Sequence, residues 1–366
     1  MAEIRKIGIL TSGGDCSGLN TAVYAVTFAA IRRGWEVYGI ENATDGLIGR
    51  PMAYRRLRMP TFNFPFAKLG GTMLGTNSSG NPNEQISPDG TMEYLTDRQV
   101  VNRFKEGIKE LGLDALVVVG GDGSMAMISQ LCKKAKIKMV GIPKTIDKDA
   151  PGTDSSIGFA TARTVVMNAL DNLDTTASSH HRVMILEVMG RNAGHLALEG
   201  AVAGLADICL IPEIPYSYFN IVNHLRKLRA YGRQHALMVV AEGVKTPEGK
   251  QVFESVGNKK SLTGIGDYFA QRLLQEPDNF SVRSTRLGHI QRGGVPVAGD
   301  RVLATSFGVR AVELLANNQT DKVVGYREGK ILDMDLKDVL KIANTPVRPD
   351  SGIVRTARGL GMYIGE

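Results

Sequence analysis

A doubly wound α/β architecture in two domains, with largely parallel sheets, is predicted by three features of this 366-residue sequence. Short apolar runs recur along it, each followed by glycine or proline. The segments between them read as helices, and the length suits two core-bearing domains at about 150 residues each. The runs are Ile7–Leu10, Glu36–Ile40, Ala115–Val119, Met139–Ile142, Val183–Val188, Ile208–Ile211 and Ala236–Ala241. They lack the alternation of a half-solvated strand, so they suit strands buried on both faces of a parallel sheet. Between them, Val100–Leu111 places Val100, Val101, Phe104, Ile108 and Leu111 at helical spacing. Lys68–Asp89, rich in Gly, Asn, Ser and Pro, reads as a long loop over a site. In such sheets ligands bind beyond the carboxyl ends of the strands, where the glycine-rich turns of this chain fall.

Composition narrows the ligand. Glycine supplies 42 residues, an excess over the average of roughly 7% that no fixed period explains. Glycines gather where backbone turns sharply or approaches a ligand closely. The net charge is +7, yet no Lys/Arg run exceeds two residues and there is one Trp. Small anionic ligands therefore fit better than nucleic acid or a membrane surface. Cys16, Cys132 and Cys209 form no metal spacing and no even set, and the first residues run straight into a strand. With no apolar stretch of membrane-spanning length, a reduced, cytoplasmic protein is expected.

Five motifs carry chemistry. In Ile7-Gly-Ile-Leu-Thr-Ser-Gly-Gly-Asp-Cys-Ser-Gly-Leu-Asn20 a strand runs through Gly13, Gly14 and Gly18 into a helix beginning near Leu19. This is either an anion cradle of backbone N–H groups or a plain strand-to-helix turn; it is neither a Walker A loop nor a strict dinucleotide fingerprint. In Leu116-Val-Val-Val-Gly-Gly-Asp-Gly-Ser124, Asp122 follows an apolar strand among Gly120, Gly121 and Gly123. It reads as a carboxylate for Mg²⁺ bearing phosphate oxygens, or as a helix cap. Gly141-Ile-Pro-Lys-Thr-Ile-Asp-Lys-Asp149 sets Asp147 and Asp149 two apart after Lys144 and Thr145. A strand end presents alternate residues on one face, so one carboxylate could take a proton from an attacking hydroxyl. Lys144 would offset charge on a transferring phosphoryl group.

Ser178-Ser-His-His-Arg182 leads a strand that ends in Glu187-Val-Met-Gly-Arg191, and Arg283 precedes Leu287-Gly-His-Ile-Gln-Arg-Gly-Gly294. Arginines beside glycines at strand ends, with His289 near Arg292, look like a sugar-phosphate clamp. The histidines have no zinc spacing.

Taken in order, these motifs resemble the ATP/pyrophosphate-dependent 6-phosphofructokinase family, and the wording around Ser178–Leu198 and Val240–Lys245 is closest to bacterial, including cyanobacterial, members. The resemblance runs from about Ile4 to the C-terminus. It implies phosphoryl transfer from Mg-ATP, or alternatively pyrophosphate, to the 1-hydroxyl of fructose 6-phosphate, giving fructose 1,6-bisphosphate. By resemblance Asp147 matches the base and Asp122 the magnesium carboxylate. Thr145 and Arg191 match groups around the transferred phosphoryl. Gly13, with Gly120, Gly121, Gly123 and Ser124, belongs to the donor site. Met189, Gly190, Glu242, His289 and Arg292 match the fructose 6-phosphate pocket. Arg182 and Arg283 match arginines that reach a neighbouring subunit's 6-phosphate, which implies a homodimer or homotetramer. The resemblance also implies a donor domain of residues 1–158 plus 291–342 and a sugar-phosphate domain of 159–290 plus 343–366, with the site in the cleft between them.

Departures from the family pattern bear on the donor. Gly123 is the form of ATP users, because a side chain there would fill space the α-phosphate needs; pyrophosphate users typically carry Asp. Lys144 is common in pyrophosphate users, although some ATP-dependent members also have it. The loop Gly70–Pro82 lacks an arginine that many relatives use, Thr44 stands where an adenine-stacking aromatic often lies, and Lys148 replaces the usual Asn. The first helix carries Tyr24 and Phe28 rather than the arginines of allosterically regulated bacterial enzymes. Two rivals follow. One is a non-catalytic sugar-phosphate-binding subunit on the same fold. The other is a nicotinamide dehydrogenase, disfavoured because Glu41 is weakly placed for a ribose.

Overall fold

A sheet whose strand order reverses between its first two central strands organises the chain's N-terminal half. The computed structural model describes residues 3–59, 66–77, 81–86, 91–256, 259–342 and 344–365. From one edge, this sheet runs Lys330–Asp335, Lys322–Arg327, Lys138–Thr145, Ala115–Gly120, Lys6–Thr11, Glu36–Ile40 and Tyr54–Leu57. The two-residue strand Ile157–Gly158 adds to the end of Lys138–Thr145. The central pairs are parallel, and only the edge strands Tyr54–Leu57 and Lys330–Asp335 run antiparallel. Successive strands proceed from Lys6–Thr11 outward on one side and from Ala115–Gly120 outward on the other. The gap beyond the carboxyl ends of those two is therefore the topological switch point, where a doubly wound sheet binds its ligand.

Contacts divide the chain into two units. The first comprises Met1–Ile146, Ala150–Thr161 and Arg292–Ala343; the second comprises Asp147–Asp149, Ala162–Gln291 and Asn344–Glu366. The second unit has its own parallel sheet, ordered Ile208–Leu210, Ala236–Ala241, Val183–Val188, Val282–Arg286.

All seven apolar runs form strands, and those of Ala115–Gly120, Val183–Val188 and Ala236–Ala241 are buried at every residue. The helix expected over Val100–Leu111 starts three residues earlier, at Asp97. Its polar first turn carries no apolar periodicity. Instead Thr96 and Gln99 form a reciprocal capping box that satisfies donors at the helix start.

Two readings need correction, and one gains detail. Ser178–Arg182 does lead the strand Val183–Val188, but Ser178–His180 form the last turn of the helix Phe159–His180, and His181 at φ 54° turns the chain into the strand. Lys68–Asp89 is not loop throughout, because Glu84–Ile86 pairs with Met92–Tyr94 as a short hairpin; residues 78–80 and 87–89 lie outside the described residues. The strand before the paired carboxylates stops at Thr145. Asp147 and Asp149 lie beyond it, separated by Lys148 at φ 55°, so strand alternation does not set their directions.

Buried acids tie elements together. Glu187, 3% exposed within its strand, accepts hydrogen bonds from Thr263 Oγ1 (2.6 Å), Gly264 N (3.0 Å) and Gly266 N (2.8 Å), capping the helix Ile265–Leu274. Asp300, fully buried, accepts from Gly158 N (3.0 Å) and from Thr161 N (2.7 Å) and Oγ1 (2.5 Å).

All three cysteines are free thiols and fully or almost fully buried. Burial raises the thiols of Cys16 and Cys132 from the ordinary 9.0 to about 12, and raises Cys209 as well. As pH rises from about 9 to about 12 the unfolded chain loses these protons first, so the folded state loses stability across that window. Thiol titration should find no fast-reacting cysteine in the native protein and three after unfolding. A native thiol reacting within seconds would contradict the burial.

Candidate active site

The first glycine turn sits at the switch point. Thr11 pairs with Val119, and Ser12 N donates to Val119 O at 2.9 Å, which carries the chain beyond the strand end. Gly13 then takes φ 86°, a left-handed conformation that a side chain would strain. Its carbonyl accepts from Thr76 Oγ1 at 2.6 Å, and its N–H donates to Asn77 O at 3.2 Å. The 70–77 segment is thus held directly against the glycine turn.

Two polar side chains face the same turn. A β-carbon at Gly13 would lie 3.2 Å from Ser124 Oγ and 3.4 Å from Lys144 Nζ. Lys144 is 5% exposed, and its ammonium donates to Gly14 O at 2.5 Å. The sequence thus names a real cluster: Gly13, Gly14, Ser124 and Lys144 gather at the ends of neighbouring strands. Gly120 and Gly121 lead into the helix Asp122–Ala135, whose N-cap is Gly121 without any side-chain cap bond. Asp122 is therefore the first helical residue rather than its cap. Its carboxylate is a hard oxygen donor of the kind that Mg²⁺ takes, while the positive helix N-terminus and Lys144 favour anionic phosphates. Gly123 differs from its neighbours, for a β-carbon there meets no protein atom within 4 Å.

Arg292 packs on this turn too. Its Nη1 donates to Asp15 O at 3.2 Å, and a β-carbon on Gly14 would overlap its guanidinium.

In the second unit the carboxyl ends of Val183–Val188 and Ala236–Ala241 gather another set. Glu242 N donates to Val188 O (2.9 Å), and Gly243 N donates to Gly190 O (3.1 Å). A β-carbon on Gly243 would overlap the Arg191 carbonyl, so glycine permits this close approach. Met189 N donates to Oε1 of Gln291 (3.2 Å), whose Nε2 donates to Gly288 O (2.9 Å). Met189, Gly190, Arg191 and Glu242 are thereby brought together with the turn Gly288–Arg292, which bears exposed His289. Gln291, 1% exposed, is the residue that sequence reasoning missed. It stands inside a quoted motif, but its partner lies 102 residues away.

Arg182 and Arg283 do not join that set. Arg182 precedes Val183, and Arg283 pairs with Met184, at the opposite, amino end of the same sheet. Arg283 is exposed, and Nε of Arg182 is buried with no hydrogen-bond partner among the described residues. Asp149 is 8% exposed; its carboxylate accepts from Asn344 Nδ2 at 2.6 Å and its carbonyl from Thr345 N at 2.9 Å. Asp147 and Thr145 are half-buried.

A glycine turn and an Asp-Gly helix start at the switch point of one sheet, with a second sheet ending in Met-Gly-Arg, match one known pattern. The family model for phosphofructokinase covers residues 6–315. The chain belongs to the phosphofructokinase family. Among curated phosphofructokinases it is 44% identical to ATP-dependent 6-phosphofructokinase 1 of Synechocystis sp., covering 100% of both chains. It is 43% identical to ATP-dependent 6-phosphofructokinase 1 of Nostoc sp., again over 100% of each. Among solved structures, phosphofructokinase from Saccharomyces cerevisiae matches with a TM-score of 0.76 at 29% identity over 92% of this chain. The chain spans 45% of that longer yeast chain. The pyrophosphate-dependent phosphofructokinase from Marinobacter aquaeolei shares the fold, with a TM-score of 0.78 at 19% identity over 99% of this chain and 89% of that one. No helix among the described residues is long and apolar enough to cross a membrane.

Proposed function

We propose that this chain is an ATP-dependent 6-phosphofructokinase, transferring the γ-phosphoryl group of ATP to the 1-hydroxyl of fructose 6-phosphate. The observation that carries the donor is Gly123: its open side leaves room for a third phosphate where a side chain would intrude. Identity of 44% over the whole length to a curated ATP-dependent relative supports the same reading.

The first unit supplies the donor site. Gly13, Gly120, Gly121, Gly123 and Ser124 line the phosphate path, and Lys144 adds a buried positive charge beside them. Asp122 would hold Mg²⁺, which when bound neutralises charge on the triphosphate oxygens. The second unit supplies the sugar-phosphate site, with Met189, Gly190, Glu242 and His289. Arg292, which the family resemblance also assigns to the sugar phosphate, belongs to the first unit and packs on its glycine turn. Asp147 takes the hydroxyl proton as the new O–P bond forms and the bond to ADP breaks. Thr145 and Arg191 hold the phosphoryl group in transit, while Asp149, bound by Asn344, fixes the turn that carries the base. Catalysis of this kind rests on positioning and charge compensation.

Arg182 and Arg283 lie a strand's length, about 20 Å, from Met189 and Glu242. That separation supports the reading the family resemblance implies, in which they serve a neighbouring subunit's sugar phosphate in a homodimer or homotetramer. The protein acts in the cytoplasm on small phosphorylated metabolites.

A coupled assay with fructose 6-phosphate and either donor tests the reading. Turnover with Mg-ATP at least tenfold above that with pyrophosphate is expected. Turnover with pyrophosphate alone would reverse the donor, and turnover with neither would favour a non-catalytic subunit.

A further inference from the structure

Lys148 stands between the two carboxylates of the proposed catalytic turn and adopts φ 55°. Gly, Asn and Asp enter this left-handed region most readily, and a lysine there is disfavoured unless its surroundings offset the strain. Its Nζ lies 2.6 Å from Oε1 of Glu199, on the helix His195–Ala203. The other carboxylate oxygen of Glu199 takes Arg163 Nη1, also at 2.6 Å. The Glu199 side chain is only 12% exposed, so this is a largely desolvated carboxylate between two cations, unlike a solvated surface pair. The next residue, Asp149, is fastened separately by Asn344 and Thr345.

We propose that Glu199 is a positioning residue: through Lys148 it holds the turn Asp147-Lys148-Asp149 in the strained conformation that aims Asp147. The inference rests on the reading of Asp147 as the base. It is specific to a chain that has lysine at 148. A residue that enters the left-handed region unaided would leave Glu199 nothing to hold.

The test is a two-background comparison. Glu199→Gln, nearly isosteric, should lower kcat about tenfold or more and leave KM for fructose 6-phosphate within about threefold. In the Lys148→Asn background, where Asn tolerates the left-handed backbone, the same Glu199→Gln change should alter kcat by less than twofold relative to Lys148→Asn alone. Equal losses in both backgrounds, or no loss in either, would overturn the proposal, since a merely structural ion pair predicts no such dependence on residue 148. If Glu199→Gln does not accumulate as folded protein, Lys148→Met and Lys148→Asn give the same reading. Both remove the ion pair, yet Met should turn over about tenfold more slowly than Asn, and equal rates would sink the idea. Asp147→Ala separates the two layers. If it stays active, the base assignment falls and takes this inference with it. If it is inactive while the Glu199 effects are independent of residue 148, only the positioning role falls.

Discussion

Asp147→Ala is expected to lower kcat by about 10²–10⁴-fold, the usual contribution of a general base, while KM for fructose 6-phosphate should change by less than about threefold. The expectation follows from what each side chain is asked to do. The hydroxyl of the sugar is a poor nucleophile until its proton leaves, and that need exists only as the transition state is approached. Removing the acceptor therefore lowers kcat and kcat/KM together, the signature of an interaction absent from the ground state. On the proposed reading, binding of the sugar phosphate falls to other groups: the Met189–Arg191 turn, Glu242 and the Gly288–Arg292 turn, which are tied to one another by backbone bonds and by Gln291. Steady-state kinetics with Mg-ATP, together with calorimetric titration of fructose 6-phosphate, separates the two quantities. A variant that keeps kcat but raises KM would make Asp147 a binding residue, and the base would have to be sought elsewhere.

The parts of this protein that sequence reveals are those fixed by short-range patterns. A strand buried on both faces must be apolar at every position, so Ala115–Gly120, Val183–Val188 and Ala236–Ala241 announce themselves. Edge strands do not. Val282–Arg286, with Arg283 and Thr285 exposed, reads as polar chain because only one of its sides pairs. Lys322–Arg327 and Lys330–Asp335 form a hairpin around Glu328 and Gly329, both at positive φ. That is a tight two-residue turn, and Glu-Gly was the signal available for it. The phosphate-side cluster was legible because glycine spacing and chain order identify a switch point. The direction of the Asp147–Asp149 turn was not, since it depends on Lys148 at positive φ, and on Glu199 and Asn344, 51 and 195 residues away from the residues they hold. Long-range bonds of that kind leave no periodicity in the sequence. The placement of Arg182 and Arg283 at the far end of their sheet was likewise invisible without register.

Gly123→Asp should separate donor choice from stability, with effects of opposite sign. Gly123 is the second residue of the helix Asp122–Ala135, and a β-carbon there meets nothing within 4 Å. The fold can therefore accept the side chain. Replacing glycine inside a helix removes a penalty of roughly 0.8–1 kcal/mol relative to alanine, part of which aspartate keeps. A carboxylate in the first turn gains about 0.3–1 kcal/mol from the helix dipole. The adjacent Asp122 does not face it, because successive helical residues point apart. The variant should consequently melt no lower than the parent. Its activity with ATP should nonetheless fall, since the new carboxylate enters the open space beside Asp122 that the proposed donor fills with phosphate. Placing like charges together costs several kcal/mol, which at about 1.4 kcal/mol per decade corresponds to a loss of roughly 10²-fold or more in kcat/KM for ATP. Pyrophosphate, with one phosphate fewer, should lose much less. Thermal melts and donor-specific kcat/KM measured on the same preparation decide the matter. An unchanged kcat/KM for ATP would mean that the third phosphate does not pass Gly123, and the room beside that glycine would lose its meaning for the donor.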